Sequence, residues 1–323
     1  MVLLSLKDSF GKLNVKVGKI TVFRRLVQLT AFLLINYVII EVVFAINLIA
    51  FDPYVRILPI LNSPRNSLSR GAGFTEYVFY FIAEGTFPFF ILAVFILIIL
   101  ISNRFFCGWI CPIGTIQDIL AILPYRKKKM NMDTHKTLLN TKYLIVILLL
   151  IIFVPLGWSK IMNPAFYNNY KENLGPWAKQ DIGFFSLSEF IFVFFPNLMS
   201  EIWNSREGDM LKPIFSNGWV AVLLFVYLII ILLAVFYPRF YCRYLCPYGA
   251  IAAAISEYSL LKLGRNPVRC VGRVECGICE KVCPKQVRIL DEPFEFFTGK
   301  GECDLCMKCK EKCPYKAINL KFV

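Results

Sequence analysis

Arg104-Phe105-Phe106-Cys107-Gly108-Trp109-Ile110-Cys111-Pro112-Ile113-Gly114 and Arg239-Phe240-Tyr241-Cys242-Arg243-Tyr244-Leu245-Cys246-Pro247-Tyr248-Gly249 are near copies of each other, and each closes a long apolar run. The duplication predicts two parallel repeats of one unit, helix in, outer loop, helix back and Cys-x3-Cys-Pro, related by a pseudo-twofold axis along a membrane normal. Proline suits the first turn of a new helix and not the continuation of an old one. Helical periodicity follows each proline, with Ile113, Ile116, Ile119, Leu120 and Leu123 after Pro112 and Ile251, Ala254, Ile255, Tyr258 and Leu261 after Pro247. Cys111 and Cys246 then stand at helix N-termini, where backbone N–H groups and the dipole favour a thiolate.

Working outward, 57% hydrophobic and 15% aromatic residues exceed what a soluble chain of 323 residues carries, and the mean hydropathy is +0.60. A hydrocarbon core takes roughly 20 apolar residues per helix. Leu26 to Ala50, Phe87 to Ser102 and Trp219 to Tyr237 qualify or nearly so, and Tyr143 to Trp158 is the fourth and shortest. The basic first residues lack an apolar core followed by a cleavage site, so the first helix is expected to remain as an anchor.

Lysine and arginine gather in three segments: six in residues 1–25, seven in 104–142 and fifteen in 239–323, against three in 51–84 and five in 159–217. Positive flanks stay on the cytoplasmic side. Both termini and both Cys-x3-Cys-Pro motifs are therefore expected in the cytoplasm, on a multi-pass protein of the inner (cytoplasmic) cell membrane. The net charge of +14 reads as topology and as attraction for anionic lipid or an acidic partner; no nucleic acid is expected. Phe184 to Trp203 is apolar but contains Glu189, Pro196 and Asn197. A fifth span would also turn the last helix around, so this segment is expected to lie amphipathically on the outer surface. The outer loop from Ser159 to Asn217 reads as a docking surface or a lid.

Downstream, Cys303-x2-Cys306-x2-Cys309-x3-Cys313-Pro314 has the spacing of a bacterial two-cluster ferredoxin, preceded by Cys270-x5-Cys276-x2-Cys279-x3-Cys283-Pro284. In that arrangement three cysteines of one motif and the last of the other hold each cluster. Cluster one then takes Cys270, Cys276, Cys279 and Cys313, and cluster two takes Cys303, Cys306, Cys309 and Cys283. The x5 spacing after Cys270 departs from the common x2. Structural zinc fits these closely spaced thiols less well than a cubane, and a reducing compartment disfavours disulfides. The expected architecture is a mainly α membrane protein: four transmembrane helices over residues 1–262, then a cytoplasmic α+β ferredoxin-like domain over 263–323.

For Cys107, Cys111, Cys242 and Cys246 three readings stand: a further iron-sulfur cluster or other soft metal, a redox-active dithiol pair, or buried structural cysteine. His135 is the single histidine, which excludes bis-histidine haem within the helices, and it reads as a solvated loop residue. No Cys-x-x-Cys-His and no G-x-G-x-x-G after a strand is present. Electrons must then come from a lipid-soluble carrier, a partner, or both. Glu41, inside an apolar run, and Glu84 are candidate quinol proton acceptors, or carboxylates paired locally.

Arg24-Arg25, Cys107-Gly-Trp-Ile-Cys111-Pro, Cys242-x3-Cys246-Pro and the tandem cluster-binding tail resemble the NapH-type polyferredoxins, four-helix membrane subunits of quinol dehydrogenase systems. The resemblance spans essentially the whole chain. It implies quinol oxidation and electron delivery to a partner iron-sulfur protein or cytochrome, often in anaerobic respiration. The leading expectation is thus an iron-sulfur electron-transfer subunit linking the quinone pool or an external carrier to a partner redox protein. The alternatives are a cupric-ion reductase acting at the paired motifs, and a cluster-containing membrane anchor or assembly factor.

Overall fold

The computed structural model describes residues 18–44, 74–123, 127–173, 186–204 and 218–322. Helix α1 (Lys19–Ile35) and α2 (Tyr37–Phe44) run on from one another across Asn36. Helix α1 starts seven residues before the expected first span, so Arg24 and Arg25 lie inside a helix rather than ahead of one. α3 (Phe74–Ala83) and α4 (Phe89–Ser102) complete the first unit. Two short helices then carry the first motif: α5 (Phe105–Trp109) and α6 (Pro112–Leu120).

α7 (Met132–Met162) is a 31-residue helix, about 46 Å long at 1.5 Å per residue, against a hydrocarbon core of about 30 Å. Among the described residues it alone is long and apolar enough to cross a membrane. The sequence reading ranked this segment shortest because it counted only the apolar stretch; the helix continues into polar residues at both ends and through Pro155. The 14 residues of α4 make about 21 Å. α7 packs on α3, on α8 (Pro164–Asn173) and on the second motif's helices, α11 and α12 below.

Leu187–Glu189, a π-helical stretch Phe190–Phe194 and α9 (Phe195–Asn204) run together. α9 is amphipathic, with Leu198 buried and Met199 and Trp203 exposed, while the turns before it pack inward. Phe190 stacks on Tyr227 with centroids 4.4 Å apart, Phe192 contacts Phe32, and the Leu187 amide donates to the hydroxyl of Tyr241 at 3.1 Å. Tyr241 adjoins Cys242, so the first turns insert beside the second motif. Burial of Leu187, Phe190 and Phe192, about 1.5–3 kcal/mol per side chain, outweighs the polar residues that had argued for the surface. The remainder of the proposed docking loop, 174–185 and 205–217, lies outside the described residues.

α10 (Gly218–Phe236), α11 (Phe240–Tyr244) and α12 (Pro247–Ser256) form the second unit. Its motif repeats the bonds that close the first turn. The Cys111 amide donates to Phe106 O and the Cys246 amide to Tyr241 O, both at 2.9 Å; Thr115 N to Cys111 O (3.0 Å) matches Ala250 N to Cys246 O (3.1 Å).

The chain closes with β1 (Leu261–Arg265), α13 (Gly272–Glu275), α14 (Ile278–Val282), a 3-10 turn Ile289–Asp291, α15 (Lys308–Lys312) and β2 (Ile318–Phe322). β1 pairs antiparallel with β2, from Leu261 opposite Phe322 to Arg265 opposite Ile318, which ties the end of the chain to the exit of the helical part. β1 straddles the boundary expected between 262 and 263. One apolar core joins Leu263, Phe297, Leu305 and Ile318 of this tail to Trp109 of the first motif.

Candidate functional site

The tail has its own internal symmetry. Gly277 and Met307 both take left-handed φ (60° and 58°) immediately before α14 and α15, so Cys279 and Cys309 sit in equivalent first turns. Val287 N donates to Cys283 Sγ and Ala317 N to Cys313 Sγ, each at 3.4 Å. Two cavities result. One is lined by Cys270, Cys276, Cys279 and Cys313. The other is lined by Cys283, Cys303, Cys306 and Cys309. Each cavity is thus lined by three cysteines of one motif and the last of the other. The inserted residues after Cys270 fold into α13 and leave Cys270 on the wall of the first cavity.

The donor set fits a four-iron cluster. Burial pushes the Cys279 thiol up to about 11 and the Cys306 thiol up to about 12, so the thiolates need a cationic core beside them. Among the described residues, no three His, Cys, Asp or Glu side chains converge tightly enough for a single metal ion. A cube of iron and sulfide spreads its four thiolates around a larger body than a zinc ion does.

Between the repeats, Cys107, Cys111, Cys242 and Cys246 come within electrostatic range of one another, together with Tyr248. Gln117 Nε2 donates to Cys242 Sγ at 2.9 Å, and the Gly249 amide donates to Cys246 Sγ at 3.3 Å. Cys111 and Cys246 do cap helices, yet burial dominates. Burial, then the neighbouring thiolates Cys242 and Cys107, push the Cys111 thiol up to about 12. Burial outweighs Arg239 and Lys285 in raising Cys242 to about 11. A dithiol nucleophile needs the opposite shift.

The loop from Gly301 to Cys306 is wedged against both repeats. Trp109, between Cys107 and Cys111, donates its indole N–H to Leu305 O at 2.9 Å; Leu305 lies between Cys303 and Cys306. Gly108 is required there, since a Cβ would stand 2.2 Å from Asp304 O. Arg104, three residues before Cys107, reaches Gly301 O and Glu302, both at 3.0 Å, and Lys142 of α7 pairs with the same carboxylate. Arg239, three residues before Cys242, pairs with Asp304 and with Asp118 at 2.6 Å. Asp118 also takes Arg24 at 3.2 Å and Gln28 at 2.9 Å. Burial alone would raise the Asp118 carboxyl, but Arg239 and then Arg24 hold it well below the usual carboxylate range.

Sequence reading missed Gln117, Asp118, Glu302, Asp304 and Lys285 as parts of this region; the one signal was the arginine repeated three residues before each first cysteine. His135 is corrected. It is buried in the first turn of α7, 2.8 Å from the Tyr244 hydroxyl and 3.1 Å from Arg243, because the second motif packs over it. Glu84 pairs with Lys160 of α7, and Glu41 is half-buried on α2.

Residues 84–131 and 218–266, which carry the paired motifs, both match a family described as a 4Fe-4S binding domain, and 269–318 match a 4Fe-4S dicluster domain. The chain binds 4Fe-4S clusters. It is of polyferredoxin type and related to YccM of Escherichia coli (strain K12), a protein provisionally assigned to electron transport, at 27% identity over 224 residues. That match takes in 69% of this chain and 52% of YccM, so the chain spans about half the length of that relative. Two Methanocaldococcus jannaschii proteins are also similar: MJ0750 at 24% identity (72% of this chain, 77% of that protein) and MJ0749 at 22% (69% and 67%). No solved structure matches.

Proposed function

We propose that this chain is a membrane-embedded electron-transfer subunit that links quinol or an external redox carrier to a partner redox protein, as the NapH-type resemblance implies. Three centres serve it. Cys270, Cys276, Cys279 and Cys313 hold cluster one, Cys283, Cys303, Cys306 and Cys309 hold cluster two, and Cys107, Cys111, Cys242 and Cys246 together hold a third iron-sulfur centre between the repeats. Bound clusters supply one-electron reduction and reoxidation.

The observation that carries this reading is the contact between Trp109 and Leu305, which seats the loop of Cys303 and Cys306 directly on the loop of Cys107 and Cys111. Buried ion pairs from Arg104 and Arg239 to Glu302 and Asp304 hold that contact closed and exclude water from it. Exposed apolar side chains support the membrane setting, among them Phe90 and Leu97 on α4, Ile147 and Ile151 on α7, and Phe225 and Leu228 on α10. On this reading α1–α2, α3–α4, α7 and α10 make four crossings, and both termini face the cytoplasm, where the partner docks.

The test is iron and acid-labile sulfide per chain in anaerobically purified protein, with reduction by a quinol analogue followed optically. Two four-iron clusters give about eight of each. The proposal expects a value above that, falling back to about eight when Cys107 and Cys242 are both replaced by serine. A count of eight in the unaltered chain would remove the third centre. Failure of any quinol analogue to reduce the clusters would point to an external carrier as the donor.

A further inference from the structure

Lys285 follows directly on Cys283-Pro284 and is 2% exposed. Its Nζ makes no hydrogen bond to any protein group, although it lines the cavity of Cys283, Cys303, Cys306 and Cys309. A buried ammonium with no partner costs several kcal/mol, so such groups are retained only where something answers them. Two carboxylates are near enough to feel its charge, Glu302 and Asp304, but both are engaged elsewhere. Glu302 is held by Arg104 and Lys142, and Asp304 by Arg239. Lys285 is left in the wall of the cavity, its backbone amide bonded to Cys283.

The other cavity is built differently at this point. Its corresponding residue, Tyr315 after Cys313-Pro314, is 48% exposed. The cation there is Arg265, whose NH1 is 3.8 Å from Cys270 Sγ, and whose NH2 donates to Glu292 O at 2.8 Å. Its guanidinium also lies over Phe294. Of the two tail cavities, only that of cluster two carries a cation without a hydrogen-bond partner, and the same charge acts on Cys242 of the paired motifs.

We propose that Lys285 is a positioning residue that sets the reduction potential of cluster two: its ammonium bonds to the cluster's sulfurs and favours the reduced form. A cube ligated by four thiolates is an anion that gains one more negative charge on accepting an electron. A fixed cation in a low-dielectric wall stabilises that product more than the starting state. This inference rests on the ligand assignment made above.

The test uses the full chain, purified anaerobically, as wild type and as Lys285→Gln, Lys285→Met and Lys285→Arg. Iron and sulfide are counted, and a dithionite titration with mediators is followed by electron paramagnetic resonance. At full iron content, both neutral variants are expected to lower the reduced-to-oxidised ratio of one cluster at fixed potential at least tenfold. That corresponds to ~59 mV for a one-electron couple. The other cluster should hold its midpoint, and Lys285→Arg should restore most of the loss. Unchanged midpoints in variants that keep all their iron would overturn the proposal while leaving the ligand assignment standing. Loss of iron from both neutral variants but not from Lys285→Arg would also overturn it, because the charge would then serve to retain the cluster rather than to set its potential. Replacing Cys306 by serine tests the assignment itself, through loss of the cluster-two signal.

Discussion

At the scale of single residues, the charges that matter are those removed from water. Asp118 carries 2% side-chain exposure and meets Arg24 and Arg239, each fully buried. Removing one member of such a group leaves uncompensated charge and costs about 3–5 kcal/mol. Asp118→Asn is therefore expected to lower stability by about 3 kcal/mol at pH 7, read from thermal unfolding followed by tryptophan fluorescence. The carboxyl is depressed in the folded protein, so its contribution is complete above the unfolded carboxylate value of about 3.9 and fades as pH falls below that toward the folded value. The gap between wild type and variant should hold steady from pH 7 to about pH 5 and narrow beneath; a gap that widens with acid would contradict the ion-pair account. Arg239 was recognisable in the sequence as half of a repeated pattern. Asp118, by contrast, occurs in an ordinary amphipathic stretch, and nothing local distinguishes it from a solvated carboxylate.

At the scale of elements, the two Cys-x3-Cys-Pro turns were legible because their backbone chemistry is local. Proline ends α5 and α11 and opens α6 and α12, and the amide bonds from Cys111 and Cys246 follow from that geometry. How the turns meet the tail is not local. The Gly301–Cys306 loop reaches α5 only because residue 108 lacks a Cβ, and the second repeat has Arg243 at the matching position. Gly108→Ala is expected to push Asp304 and Leu305 off Trp109, with a loss of about 1–3 kcal/mol typical of overpacking. Its functional mark should be slower electron exchange between the paired-motif centre and cluster two, at unchanged iron content, in freeze-quench spectroscopy. An exchange rate equal to wild type would mean that the Trp109 contact is not the route. In the segment 187–204 the inward packing of the first turns was not legible. Glu189, Pro196 and Asn197 suggested a surface helix, whereas aromatic stacking on Tyr227 and the bond to Tyr241 bring its first turns inward.

For the whole molecule, the distribution of exposed apolar side chains and of lysine and arginine sets a testable sidedness. Protease added to inverted membrane vesicles, which present the cytoplasmic face, should release fragments of the tail between 263 and 322, and right-side-out vesicles should protect it. Release from the right-side-out preparation instead would reverse the proposed orientation and place the clusters outside. The duplication, the helical turns after each proline and the cluster type were determined by the sequence itself, because each depends on covalent spacing or on a single turn of backbone. Tertiary structure alone decided that α7 is the longest helix among the described residues, that His135 is buried under the second motif, and that Glu302 and Asp304 face the repeats. Those placements depend on contacts between residues far apart in the chain, from 65 positions for Arg239 and Asp304 to 198 for Arg104 and Glu302, where a buried charge is tolerated only if folding brings it a partner.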